Sequence, residues 1–286
     1  MARDVLARGD ILIGVGRSAD KLSTFQSSLS PSSASRFWDL PLDVTEGEEA
    51  IKRKVDSKVS EMSRGREGKI SGKGGIDVLV NNAGLGFGST LEEGGSELLR
   101  KQFSINVFGV MDMTVACLPY LRASSNPTLA IVGSRSGWRT DVPGLGMYSA
   151  SKAAVHSLGE TWAVELAPFN IPVIIIQPGS FPTEGIYDNG FILPRPLPQY
   201  EKMRGAITQR LLSIKGTEKG DPDRASVAIV DAIRGEGVSK GRKMPLYLFL
   251  GQDAEADVRA KTSKVLSVLD QWVDVTRGVT IETHHN

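Results

Sequence analysis

Cysteine is nearly absent from this chain of 286 residues: Cys117 stands alone, so no disulfide can form within it. That agrees with a reducing compartment. Its neighbours Val115, Ala116 and Leu118 make it a buried small hydrophobe rather than a reactive thiol. Histidine is scarce too, and His156, His284 and His285 lack the spacing of metal ligands. Neither sign of charge dominates: 34 basic residues oppose 33 acidic ones, a net charge of +1. That balance removes any electrostatic argument for nucleic acid or a membrane surface. No apolar run approaches the ~18 residues of a membrane span. The first sixteen residues mix Asp4 and Asp10 with arginines, which suits neither a signal nor a transit peptide. The expectation is a cytoplasmic protein without nucleic-acid or membrane partners.

What is present is alternation. Short apolar runs at 10–15, 37–42, 76–80, 128–132, 172–177 and 245–250 are strand candidates. Amphipathic stretches at 19–29, 46–62, 97–121, 148–167 and 223–234 read as helices. Strands separated by helices predict βαβ units in one α/β domain, with a doubly wound parallel sheet and helices on both faces. The strand runs are apolar on both parities, as covering on two sides requires. Two regions interrupt the rhythm. Residues 63–75 are rich in Gly, Ser, Lys and Arg and read as a solvated loop. Residues 182–198 are rich in Pro and Gly, flanked or punctuated by Phe181, Tyr187 and Phe191. They follow a strand at the sheet's ligand crevice, so a substrate lid over 180–215 is expected.

The chemistry concentrates in Tyr148-Ser149-Ala150-Ser151-Lys152. Tyr and Lys four apart share one helix face. A cation there favours the phenolate and should lower the tyrosine pKa from ~10 toward neutrality, suiting it to donate a proton to a carbonyl. Upstream, Asn81-Asn82-Ala83-Gly84 follows an apolar run. Together these motifs resemble the short-chain dehydrogenase/reductase family, over roughly residues 3–255.

The resemblance implies a Rossmann-like fold and hydride transfer between a nicotinamide cofactor and a carbonyl or secondary alcohol. It assigns Tyr148 as proton donor or acceptor, Lys152 as its partner and ribose ligand, and Ser134 as the group that orients the substrate oxygen. Ser134 precedes Tyr148 by 14 residues where the family more often has 13, and Ser136 is the alternative. Asn106 would hold a water that feeds protons through Lys152; a plain alternative is an asparagine satisfying a kinked backbone. For the cofactor, the resemblance implies contacts from Asn82, Ala83 and Gly84, from Asp43 at the adenine, and from Pro178, Gly179 and Thr183 at the nicotinamide. Asp43 also suits the entry of the helix that follows it. Arg17, with Ser18, stands where an acidic residue would hold the ribose of NAD; a guanidinium there selects NADP.

One element of the family pattern is missing. Gly14–Ala19 matches G-x-G-x-x-G/A on paper, yet the family's Thr-Gly-x-x-x-Gly-x-Gly loop occurs nowhere. The spacing from Arg17 to Asp43 and Asn81 places Gly14–Arg17 after the family's second strand. Residues 1–9 then read as the end of the first helix, with Leu6 and Ala7 buried. The first strand, central in a sheet of order 3-2-1-4-5, and its phosphate-binding loop are expected to be lacking. A mistaken start and a truncated product both agree with this.

The expected activity is that of an NADP-dependent oxidoreductase on a carbonyl or alcohol of a small, fairly apolar molecule. A C-terminal helical extension over 252–286 and a homo-oligomer are further expectations. The rival from another class is a non-catalytic cofactor sensor or partner subunit.

Overall fold

The computed structural model describes residues 1–64, 75–182, 191–214 and 216–281. Most of the basic loop expected at 63–75 lies outside them, as do Thr183 and Tyr187. Along the chain run α1 (Ala2–Ala7), β1 (Leu12–Gly16), α2 (Ala19–Ser27), α3 (Pro31–Ala34), β2 (Phe37–Pro41) and α4 (Glu48–Arg64). Then follow β3 (Val78–Asn81), α5 (Leu91–Phe103), α6 (Gly109–Ala123), β4 (Thr128–Val132), α7 (Gly146–Glu165) and β5 (Val173–Pro178). The chain continues through α8 (Glu201–Ile214), α9 (Pro222–Arg234), β6 (Tyr247–Leu250), α10 (Gln252–Gln271) and α11 (Val273–Gly278). The expected α/β alternation is observed. Helices α3 and α8 are additions, because a four-residue turn and a polar helix inside a Pro-rich region carry little periodic signal.

Every strand pair is parallel, but the sheet is in two pieces, β1-β2 and β3-β4-β5-β6. This is the break that a missing central strand would leave. Leu12 donates to the Arg36 carbonyl, and the Gly16 carbonyl accepts from Leu42. Alternate residues of a strand aim their backbone groups to opposite sides, so Ile11, Ile13 and Val15 face away from β2. On β3, the Asp77 carbonyl accepts from Thr128, which turns Val78 and Val80 away from β4. Both pieces still share one core: Leu40 and Leu42 pack with Leu79, Val107, Met113 and Leu129. Helices α4 and α6 cover that side and pack on each other.

The opposite face is covered by α9, through Ile229 and Ala232 against Ala130, Ile174 and Ile176. Helix α1 docks there too. Arg8 pairs with the buried Asp231 at 2.7 Å, and the Leu6 carbonyl accepts from Arg36 at 2.7 Å. Leu6 is fully buried as expected, whereas Ala7 is exposed, since a helix this short buries only the one position facing α9 and β1.

Residues Leu91–Ala123 form a long helical stretch, kinked at Gly95, whose most apolar part has a mean hydropathy of 1.3. By length and composition it could cross a membrane; half of that stretch is buried inside the protein, the mark of a core helix. A π-turn over Ser104–Phe108 interrupts it, and that turn carries Asn106.

Candidate active site

The site lies at the C-terminal ends of β3, β4 and β5, where an open parallel sheet presents its loops. Strand β4 runs into Gly133-Ser134, and a single 3₁₀ turn, Arg135–Gly137, follows. Helix α7 lies across that end. Its residues Val155 and Trp162 enter the core, and Tyr148, Lys152 and His156 fall on a stripe that faces the strand end.

Ser134 is buried, and its hydroxyl oxygen accepts from the Ser136 amide at 3.1 Å. The Tyr148 phenol lies near that hydroxyl, close enough for Ser134 to favour the phenolate. Ser136 therefore supports Ser134, and it is Ser134 that meets the tyrosine.

The expectation that Lys152 lowers the Tyr148 pKa is not what the chain by itself displays. Burial raises the Tyr148 pKa, with the nearby Ser134 hydroxyl working the other way. The Lys152 ammonium lies 5.9 Å from the tyrosine ring centre and donates to the Val132 carbonyl at 2.8 Å. Burial lowers the lysine itself to about 8. The ammonium is thus committed to the strand end rather than to the phenol.

The turn after β3 closes over this group. A Cβ at Gly84 would sit 3.3 Å from the Lys152 ammonium, and one at Gly86 would sit 3.4 Å from the Tyr148 ring. Asn82, Ala83 and Gly84 themselves are exposed along the turn. Asn106 holds the turn down. Its Oδ1 accepts from the Leu85 amide at 2.9 Å, and its Nδ2 donates to the Leu85 carbonyl at 2.9 Å and to Ser151 Oγ at 3.0 Å. The side chain is fully buried and spends its donors and acceptor on backbone and Ser151, in keeping with the kinked-backbone alternative. Gln102 does the same work one helical turn earlier, bonding the Leu85 carbonyl and the Phe87 amide. No motif marks Gln102; its position four before Asn106 on the same helix face was the available signal.

The cofactor-side residues are spread more widely. Arg17 is exposed just past β1. It is close enough to contribute to lowering the Asp43 pKa, which the Thr45 amide lowers first. Asp43 also accepts from the Thr45 hydroxyl at 2.8 Å, so it caps the turn into α4. The Ser18 hydroxyl accepts from the Lys21 amide at 3.2 Å and caps α2. Across the broken sheet, Pro178 ends β5 and the Gly179 amide donates to the Leu250 carbonyl at 2.8 Å.

Beside Gly179 lies a network absent from the sequence reading. Arg135 meets Asp257 at 2.9 Å, Asp253 at 3.2 Å and the Ser180 hydroxyl at 2.9 Å. The Ser180 amide also donates to Asp253 at 2.8 Å. It ties the residue after Ser134 to the first turns of α10. Adjacency of Arg135 to Ser134 was its only sequence signal. Farther out, the fully buried Glu93 on α5 accepts from the Leu197 amide at 2.9 Å and pairs with Arg204 of α8. This docks the segment after Phe191 on α5.

Comparison with known proteins agrees with the arrangement. The family model for short chain dehydrogenases matches residues 1–188. The chain belongs to the short-chain dehydrogenase/reductase family. A 3-ketodihydrosphingosine reductase of Bacteroides thetaiotaomicron is 43% identical over 120 residues, 42% of this chain and 44% of the relative. An uncharacterised oxidoreductase of Bacillus subtilis, YusZ, is 35% identical over 160 residues, 55% of this chain and 56% of its own length. The chain thus spans about half the length of these curated relatives. The solved short-chain dehydrogenase of Streptomyces avermitilis is 31% identical, with a TM-score of 0.79 and 98% of this chain and 93% of that one covered. Cys117, as expected, is buried in the core, where burial raises its pKa to about 12.

Proposed function

We propose that this chain is an NADP-dependent oxidoreductase that interconverts a carbonyl and a secondary alcohol on a small, fairly apolar molecule. The observation that carries this is the juxtaposition of Ser134 and Tyr148, with Lys152 buried beside them under the Asn82–Gly84 turn. Ser134 orients the substrate oxygen, Tyr148 exchanges a proton with it, and Lys152 supplies the adjacent cation.

The residues present suit two parts of a dinucleotide. The Gly84 and Gly86 backbone leaves a cradle beside Lys152 and Tyr148 for the nicotinamide ribose, and Arg17 offers a guanidinium for a 2′-phosphate. When bound, the cofactor supplies or takes the hydride. Among solved proteins of this fold, three hold NADP and another holds NAD, and Arg17 supports the first. For the substrate, Phe191 and Ile207 lie against Gly144, ahead of Tyr148, and give that side of the site an apolar wall. A lid role for residues 180–215 and a ketone of a lipid-like molecule, the type named for the Bacteroides relative, fit that wall.

The test is NADPH oxidation with a panel of ketones and aldehydes. Tyr148→Phe is expected to lower turnover by about 10²- to 10⁴-fold while leaving NADPH binding intact. Full activity in that variant would refute the mechanism. The broken sheet favours one rival, a chain that binds a dinucleotide without turnover. An NADPH-induced rise in melting temperature with no oxidation of any carbonyl would favour it.

A further inference from the structure

His156 stands one turn beyond Lys152 on the stripe that begins at Tyr148, and the mechanism above does not use it. The imidazole is buried, and its Nε2 accepts a hydrogen bond from the Ser134 amide at 3.2 Å. That bond requires an unprotonated Nε2 and places the ring proton on Nδ1. The space around the ring is made by two glycines. A Cβ on Gly133 or on Gly137 would run into the imidazole, and these glycines bracket the Ser134–Ser136 segment. Trp138 and Tyr247 wall the ring off at centroid distances of 6.4 and 6.5 Å.

The three side chains of the stripe thus engage successive points of one strand end. Lys152 donates to the Val132 carbonyl, His156 accepts from the Ser134 amide, and Tyr148 meets the Ser134 hydroxyl. Of the three, His156 is the one that bonds the Ser134 backbone; the Ser134 carbonyl is held separately, accepting from the Gly137 amide at 3.1 Å. A buried amide left without a partner would turn toward another acceptor or toward water, and the serine hydroxyl would turn with it. Burial and the neighbouring Lys152 lower the His156 pKa to about 4, so the ring stays an acceptor throughout the neutral range.

We propose that His156 is a positioning residue that fixes the Ser134 hydroxyl relative to the Tyr148 phenol by accepting the Ser134 amide. The inference rests on the reading of Ser134 and Tyr148 as the reacting pair. It adds a third functional position to the α7 stripe, eight residues after the tyrosine.

The experiment compares His156→Leu, which removes the acceptor, with His156→Gln, whose amide oxygen reaches the same point. In steady-state assays with NADPH and a turned-over ketone, His156→Leu is expected to lower kcat about 10- to 100-fold with both KM values within twofold, the pattern of lost orientation. His156→Gln is expected to recover most of that loss. A merely structural histidine would give a lower melting temperature in both variants without the kcat-specific loss or the rescue. Wild-type turnover in His156→Leu, or a glutamine variant as slow as the leucine one, would overturn the proposal. Two readouts need no turnover. Imidazole ¹⁵N shifts of the wild-type chain should show Nε2 unprotonated and Nδ1 protonated at pH 7, and exchange of the Ser134 amide should quicken in His156→Leu alone. A protonated Nε2 at pH 7, or unchanged Ser134 exchange, would sink the inference. Should the wild-type chain turn over no carbonyl, the oxidoreductase reading fails, and these two readouts still decide whether His156 holds Ser134.

Discussion

The two pieces of the sheet are built from similar residues and differ in what lies beside them. In the four-stranded piece, Ile131 of β4 and Ile175 of β5 are fully buried, because each strand has a partner on both edges and helices on both faces. In the two-stranded piece, Val15 of β1 remains 41% exposed, and Val78, on the facing edge of β3, remains 37% exposed. β-branched residues dominate all four positions. The comparison shows that the burial of a parallel strand is a property of its neighbours, and that one unpaired edge leaves apolar surface uncovered on both sides of a gap. It also divides the proposed site: Ser134, Tyr148 and Lys152 belong to the four-stranded piece, and Arg17 and Asp43 to the two-stranded one.

The sharpest way to break this comparison is by truncation. Ile175→Ala should cost about 2–5 kcal/mol of stability, the usual price of deleting a buried isoleucine side chain. Val15→Ala should cost well under that, about 1 kcal/mol or less, because nearly half of the side chain already meets water. Urea melts of the two variants measure the difference. Equal losses would mean that the β1 edge is covered in solution.

Acid should strike the complete piece first. The His156 pKa of about 4 lies below the ordinary 6.5 of the unfolded chain, so the unfolded state binds more protons between those values and stability falls as pH drops from 6.5 to 4. The loss is on the order of 3 kcal/mol when the window is crossed. His156→Gln should flatten that part of the profile. Trp38 reports on the two-stranded piece, with Trp138 and Trp162 beside the other. Fluorescence of single-tryptophan variants through an acid titration would show whether the pieces melt together, as their shared core requires.

The smallest expected effect concerns cofactor choice. Arg17→Ala should reduce the preference for NADPH over NADH about 10- to 100-fold, the worth of one charge-assisted contact. Turnover with saturating cofactor should hardly change, since Arg17 sits across the gap from the reacting pair. A parallel loss of kcat with both cofactors would show that the two pieces are coupled more tightly than their separate ladders indicate.

Much of this was legible in the residues. The alternation of apolar runs and amphipathic stretches yielded the six strands found among the described residues, because period and run length suffice for elements that are covered on both faces. The pairing of Tyr148 with Lys152 was legible from i,i+4 spacing, and Ser134 came from the family resemblance. Ala7 was misjudged because helical periodicity alone does not tell how deep a short helix docks. The Tyr148 pKa was misjudged because i,i+4 spacing says which residues are neighbours and nothing about where a flexible ammonium bonds. Gln102, Arg135 and His156 were missed because each acts on backbone or on partners distant in sequence, which no local pattern records.

The sequence by itself therefore determined the element order and the α/β class. These follow from periodicity and short-range spacing, which are local properties of the chain. Tertiary structure alone decided that Lys152 bonds the Val132 carbonyl, that His156 holds Ser134, and that Arg135 ties the strand end to α10. Those depend on which strand edges meet and on how deeply each polar group is withdrawn from water, and both are set only when distant segments pack against one another.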